Sequence, residues 1–325
     1  MTFMKKRVVI LSFFVLLPYG KLKCQDAGYG PGYQTIMLTN PAFAGTEGDG
    51  TLRLSYLNFY PGRNYNLHSF YASYDSFIPA LHGGAAAYIS NDYMGGLIND
   101  LRGGFSYSYH LQVQKNIFIN AGLSASFFHR GFDMSKMIFP DQIDPLGGVI
   151  YQSSEQMNIK GKTVFDVGAG FLLMAGKYTA AFAVNHLATP DLSAGGVTEE
   201  KIGREVAIHL SGLFKTGNDD RIGIRPLIYG DFQGSKLVYG AGGVIETGFL
   251  AFNAMMLSNR AGDINIQTGI FFRSGIVSIF YNYTFNVSSR NNLLPASLVH
   301  QAGIAVSLNN VDKRKIIKTI NFPKC

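Results

Sequence analysis

Phe105-Ser-Tyr-Ser-Tyr-His-Leu-Gln-Val-Gln114 alternates without a break. Phe105, Tyr107, Tyr109, Leu111 and Val113 fall on one face of an extended chain, and Ser106, Ser108, His110, Gln112 and Gln114 on the other. Successive side chains of a strand point to opposite faces, so the stretch reads as a strand with one apolar and one polar side. The first suits lipid and the second water. The period returns at Ile264 and Ile266 against Asn265 and Gln267, and at His209 and Ser211 between Ile208, Leu210 and Leu213. It returns again at Ala302, Ile304, Val306 and Leu308 against Gln301, Gly303, Ala305 and Ser307. All such runs together predict fourteen strands, at 51–59, 65–75, 82–91, 102–113, 116–130, 163–174, 177–187, 204–215, 221–231, 235–246, 248–258, 263–273, 275–285 and 298–308.

Composition says where such strands belong. Of 325 residues 47% are hydrophobic and only 15% charged, against roughly 25% charged in soluble domains. The chain holds 38 Gly, 25 Phe and 18 Tyr but no Trp. After residue 17 it has no apolar run of the ~20 residues that a spanning helix needs. Only helices and closed barrels satisfy every backbone group in lipid. The fold class predicted is therefore all-β, a transmembrane antiparallel β-barrel of the bacterial outer membrane with about 14 strands. Connection lengths support this, because such barrels alternate short periplasmic turns with long outward loops. Short links follow even strands, as at Gln114 to Lys115, Ala175 to Gly176, Thr216 to Asp220 and Ser274. Long ones follow odd strands, at Asn91 to Leu101, Gly131 to Lys162, Ala188 to Gly203 and Asn286 to Ser297, while Phe232 to Gly234 and Asn259 to Gly262 are exceptions. A soluble β-sandwich of this length would need two domains, and no Pro-, Ser- or charge-rich linker divides the chain near its middle.

The ends complete the expected organisation. Lys5, Lys6 and Arg7 precede a ten-residue apolar stretch, Val8 to Leu17, too short to span a bilayer and right for export. Residues 1–24 are read as a signal peptide. Lipidation of Cys24 is the weaker reading, because Lys21 and Lys23 stand where lipoprotein signals carry small or apolar residues. Residues 25–50 are expected as a periplasmic N-terminal segment, 51–308 as the barrel with a long extracellular loop at 131–162, and 309–325 as a basic periplasmic tail. The formal charge of +7 falls to +2 once Lys5, Lys6, Arg7, Lys21 and Lys23 leave with the leader. The tail sets Lys313, Arg314, Lys315, Lys318 and Lys324 against Asp312, so residues 25–311 carry about −2. Basicity confined to the ends argues against a nucleic-acid partner. With Cys24 at the signal boundary and Cys325 at the end, no internal disulfide framework is expected.

Chemistry-bearing patterns are weak. Histidines 68, 82, 110, 129, 186, 209 and 300 are scattered singly, without metal-ligand spacing. Asp141 and Asp144 could be paired carboxylates, yet Asp before Pro in a loop is far more often a turn. Gly28, Gly30 and Gly32 precede no strand-to-helix switch, and neither a Gly-x-Ser-x-Gly elbow nor a Walker sequence is present. No enzyme, metal or cofactor is expected.

A series of segments carries more specific information. Asn40-Pro-Ala-Phe-Ala-Gly45, Asn58-Phe-Tyr-Pro-Gly62, Ser73-Tyr-Asp-Ser-Phe-Ile-Pro-Ala-Leu-His-Gly-Gly84, Asn91-Asp92, Ser135-Lys-Met-Ile-Phe-Pro-Asp-Gln-Ile-Asp-Pro145 and Ala183-Val-Asn-His-Leu-Ala-Thr-Pro190 occur in this order. Together they resemble the PorP/SprF family of type IX secretion and gliding-motility proteins, over nearly the whole mature chain. The closing Val299-His-Gln-Ala-Gly-Ile-Ala-Val-Ser-Leu308 and the tail are similar to that family's last strand and basic extension. Two departures stand out: Phe59-Tyr60 replace a usual Trp before Pro61, and the tail ends Phe-Pro-Lys-Cys with aromatic and thiol exchanged. The Asp141 to Pro145 loop and the tail look closer to the SprF-like side.

The resemblance implies a non-enzymatic receptor or anchor in the outer membrane. Its implied partners are a secreted adhesin with a C-terminal sorting domain, periplasmic ring or motor lipoproteins of the machinery, and outer-membrane lipid. The outward loops, chiefly 131–162 and 188–203, would hold the adhesin, and the tail would meet the machinery. The candidate partner-binding residues are Phe139, Asp141, Gln142, Ile143, Asp144, Pro145, Lys313, Arg314 and Lys315. Loop 131–162 folding inward as a plug is the bland alternative for that segment. The rival function is a passive channel for hydrophobic solutes, which would need an apolar lumen near a breach in the wall.

Overall fold

The computed structural model describes residues 35–59, 67–133, 138–144, 146–150, 153, 161–193, 200–216, 222–288 and 299–308. The signal peptide, residues 25–34, the tail 309–325 and Tyr60-Pro61-Gly62 lie outside them. Alternation of large apolar and polar residues drives the chain into strands β1 (Thr51–Phe59), β2 (Leu67–Ile78), β3 (Gly83–Met94), β4 (Ile98–Gln114) and β5 (Ile117–Phe132). A small hairpin, β6 (Ile143–Asp144) and β7 (Gly148–Val149), stands apart from the wall. The wall resumes with β8 (Lys162–Ala175), β9 (Tyr178–Asn185), β10 (Glu205–Gly212), β11 (Phe214–Thr216), β12 (Ile222–Gln233), β13 (Lys236–Glu246), β14 (Leu250–Asn259), β15 (Ile264–Ser274), β16 (Val277–Ser288) and β17 (Val299–Ser307).

Each wall strand pairs antiparallel with its neighbours, β1 pairs with β17, and β10 pairs with β12, so the sheet closes on itself. β10 and β11 are two pieces of one strand, interrupted at Leu213 across from Arg225 and Pro226 of β12. Proline has no N–H to give to a ladder, which makes this a natural place for pairing to lapse. Counted this way the barrel has fourteen strands. Its outer face is apolar: Phe105, Leu123 and Phe165 are 74%, 68% and 77% exposed. Its inner face carries Arg53, Asp75, Ser108, Asn120, Arg225 and Asn282, all buried. The backbone closes its hydrogen bonds around the ring, the condition for standing in lipid.

At one end the connections are two to five residues long; at the other stand the stretches 60–66, 133–161, 186–204 and 289–298. The long link expected over Asn91 to Leu101 is instead a three-residue turn, Gly95 to Leu97, because β3 and β4 stay paired up to Met94 and Ile98. The polar residues that look like loop there, Asp92 and Asp100, are inward-facing strand residues.

The largest departure is at the N-terminal side. Residues 35–50, expected as part of a periplasmic segment ahead of the barrel, lie inside the lumen. Their core is α1 (Ile36–Thr39) followed by a single 3-10 turn, Pro41–Phe43, with Thr35, Ala42 and Ala44 fully buried. Loop 131–162 supplies no such filling among its described residues: Ile138, Ile143, Leu146, Val149 and Ile150 are all exposed.

Candidate functional site

The inner plug is held by a socket built from distant strands. Asn40 caps the 3-10 turn by accepting from the Ala42 N–H at 2.9 Å. Its amide donates to the wall carbonyls of Phe171 and Phe182 at 3.4 and 3.3 Å. Ser108 Oγ donates to the Ala42 carbonyl at 3.0 Å, His110 Nε2 lies 3.0 Å from the Ala44 carbonyl, and Asn185 donates to the Thr39 carbonyl at 2.9 Å. Inward-facing glycines make the approach possible. A Cβ on Gly122 would overlap the backbone of Pro41 and Ala42, and one on Gly84 the Ala44 carbonyl. Gly45, at φ +69°, turns the chain away from that wall, and its N–H donates to Asp75 Oδ2 at 2.9 Å. Arg53 pairs with Asp75 and with Glu47, the latter at 2.5 Å, tying the plug to the foot of β1. Ile36, Met37 and Phe43 bury their side chains against Ala86, Leu172, Met174 and Ala181.

The long-loop end is closed differently. Arg130 donates from Nε and Nη2 to both oxygens of Asp100 at 2.8 Å, and from Nη1 to Glu200 at 3.0 Å. Arg102 pairs with Asp92 at 3.2 Å, and its guanidinium lies 4.8 Å from the centre of the Phe128 ring. Onto Phe128 fold Leu192 and Ile202, each 1% exposed. At Leu192 and Ile202 the segment expected to reach outward over 188–203 therefore turns back into the mouth. His186, at φ +56°, starts the turn and meets Asp166 at 2.6 Å. Asp191 accepts from the Ser193 hydroxyl and amide, which hold its carboxyl below the usual range.

The candidate residues on loop 131–162 form an ordered hairpin. Gln142 closes on Phe139 through both main chain and side chain, at 3.0 and 2.8 Å. Asp144 Oδ1 accepts from the Leu146 and Gly147 N–H groups at 2.8 and 2.7 Å, and Ser153 donates to Asp141 at 3.0 Å. Asp141, Gln142 and Asp144 thus spend their polar groups on the shape of the loop. What the hairpin presents is apolar: Ile138, Ile143, Val149 and Ile150 are exposed, and Leu146 completely so. Pro145, Lys313, Arg314 and Lys315 lie outside the described residues.

The description "Type IX secretion system membrane protein PorP/SprF" matches residues 22–297. The chain belongs to this family. No curated protein matches it. Among solved structures, Omp33 of Acinetobacter baumannii is 8% identical, with 81% of this chain and 99% of that one covered and a TM-score of 0.48. A deletion mutant of the TodX monoaromatic hydrocarbon channel is 10% identical, covering 88% and 96%, with a TM-score of 0.49. The KdgM porin is 6% identical, covering 79% and 98%, with a TM-score of 0.38. At such identities they say nothing of what this chain does. As a PorP/SprF protein with a closed barrel and an apolar outer wall, it sits in the outer membrane and is associated with type IX secretion. Three of the segments that carry the family resemblance meet in space: Gly45 of 40–45 lies against Gly84 and Asp75 of 73–84, and Asn185 of 183–190 reaches the Thr39 carbonyl just ahead of Asn40.

Proposed function

We propose that this PorP/SprF protein is a receptor or anchor that holds a secreted adhesin at the cell surface. The observation that supports the reading best is the hairpin over 138–150. A loop that satisfies its own polar groups yet exposes Ile138, Ile143, Leu146, Val149 and Ile150 is built for an apolar partner. Loops on a rigid barrel are where binding concentrates. The interior favours an anchor over a channel, since the plug occupies one end of the lumen and Leu192 and Ile202 fold into the other. The basic tail, with Lys313, Arg314 and Lys315, would meet acidic surfaces of the periplasmic ring or motor lipoproteins by charge steering.

The test is a survey of surface proteins in cells whose gene carries Leu146→Asp and Val149→Asp. The reading expects one large adhesin to be shed or retained inside while the barrel still accumulates in the outer membrane. An unchanged surface, or a change confined to uptake of hydrophobic solutes, overturns it.

A further inference from the structure

On the outer wall, β17, β1, β2 and β3 form a depression whose chemistry changes row by row. Antiparallel register sets His300, Asn58, His68 and Tyr93 side by side across these strands. Two residues along each strand toward the short-turn end, the outward positions are Ala302, Tyr56, Phe70 and Asn91, and two further on Ile304, Leu54, Ala72 and Ile89. The two lower rows enclose a groove of about 640 Å³ with Ala72 and Ala302 on its floor and Leu54, Tyr56, Phe70, Ile89 and Ile304 around it. Ala72 and Ala302 are the small outward residues among these larger neighbours, so the hollow lies over the two alanines. It falls in the size range of small-molecule sites, about 300–1,000 Å³.

The upper row is polar and its rings are fixed. His68 stacks on Tyr93 with centroids 5.2 Å apart and planes at 4°, and it meets Phe70 edge-on at 5.8 Å. His300 Nδ1 is 2.5 Å from the Tyr281 hydroxyl and its ring lies 4.9 Å from that of Tyr283. The two imidazoles are two strand spacings apart, about 10 Å, with the Asn58 amide between them. This row offers N–H and O–H donors and no carboxylate. A ligand fitting both levels has an apolar tail and an anionic head accepting several hydrogen bonds.

We propose that the groove is a specific lipid site: acyl chains lie over Ala72 and Ala302, and a phosphate-bearing headgroup is bound by His68, Asn58 and His300. The wall faces lipid here, so a membrane lipid is the occupant at hand, and tyrosines such as Tyr93 and Tyr281 beside the two imidazoles are at home at headgroup depth.

The test uses the full-length barrel extracted from outer membranes in mild detergent, washed, and analysed for retained lipid by native mass spectrometry and phosphate assay. The wild type is expected to carry a stoichiometric phosphate-bearing lipid. Ala72→Phe/Ala302→Phe fills the floor, and displacing two methylenes from such a groove lowers occupancy about tenfold. His68→Ala/His300→Ala adds no bulk, keeps the heat-modifiable gel mobility of a folded barrel, and is expected to lose lipid comparably. Wild-type protein without retained lipid, equal retention by the His68→Ala/His300→Ala protein, or a protein segment in place of lipid on the groove each overturns the proposal.

Discussion

Asn40 does three things with one side chain: it caps the Pro41–Phe43 turn, and it donates to two wall carbonyls on β8 and β9. Replacing it by Ala removes the cap and leaves buried groups unmatched, so Asn40→Ala is expected to destabilise the barrel by about 1–2 kcal/mol. Thermal loss of heat-modifiable mobility reads this directly. Gly122 tests the complementary side. A side chain there collides with main chain, which has no rotamer by which to yield. Gly122→Val is expected to cost about 1–3 kcal/mol or to expel the plug, and a protease site placed at Glu47 would distinguish the two by becoming cleavable. Arg53 is buried between Asp75 and Glu47, so Arg53→Leu strands carboxylates and is expected to cost about 3–5 kcal/mol. Adding Asp75→Leu should recover part of that loss, whereas independent sites would give a further loss. These roles were not legible in the sequence. Asn-Pro-Ala-Phe-Ala-Gly has no period to read, and its burial depends on glycines more than thirty residues away.

At the scale of elements, strand number was legible because lipid on one side and a polar lumen on the other enforce period two. Boundaries suffered where the lumen is most polar. Asn91-Asp92 and Asn99-Asp100 read as loop, yet Asp100 is the partner of Arg130 and Asp92 that of Arg102 within the ladder. The break at Leu213 and the inward turn of Leu192 and Ile202 were equally hidden, since both depend on which residues stand opposite. The plug is an element with its own consequence. Excising residues 35–50 removes the apolar stopper over Ala86, Leu172 and Met174 and leaves the polar inner face. Combined with Leu192→Ser/Ile202→Ser, which loosens the closure at the opposite mouth, the excision is expected to give far more ion conductance in planar bilayers than Leu192→Ser/Ile202→Ser alone, and equal conductance of the two would show that the plug does not seal its end of the lumen.

For the whole molecule, an even number of wall strands puts the start of β1 and the end of β17 on the same side, the side of the short turns. The proposed anchor requires the 138–150 hairpin to face the medium and the tail to face the periplasm. Cysteine placed at Asp144 should label on intact cells with an impermeant maleimide, while one at Lys318 should label after permeabilisation; the reverse pattern inverts the orientation. Family and architecture were readable from the sequence, but the task is not carried by the wall itself, which is shared by barrels of unrelated function. In the anchor proposed above it rests on the apolar face of one hairpin, Ile138, Ile143, Leu146, Val149 and Ile150. The most direct test is therefore quantitative proteomics of shaved cell surfaces, comparing the wild type with Leu146→Asp/Val149→Asp at equal barrel abundance. An anchor predicts selective loss of one large adhesin with other secreted proteins unchanged, and an identical surface in both strains contradicts it.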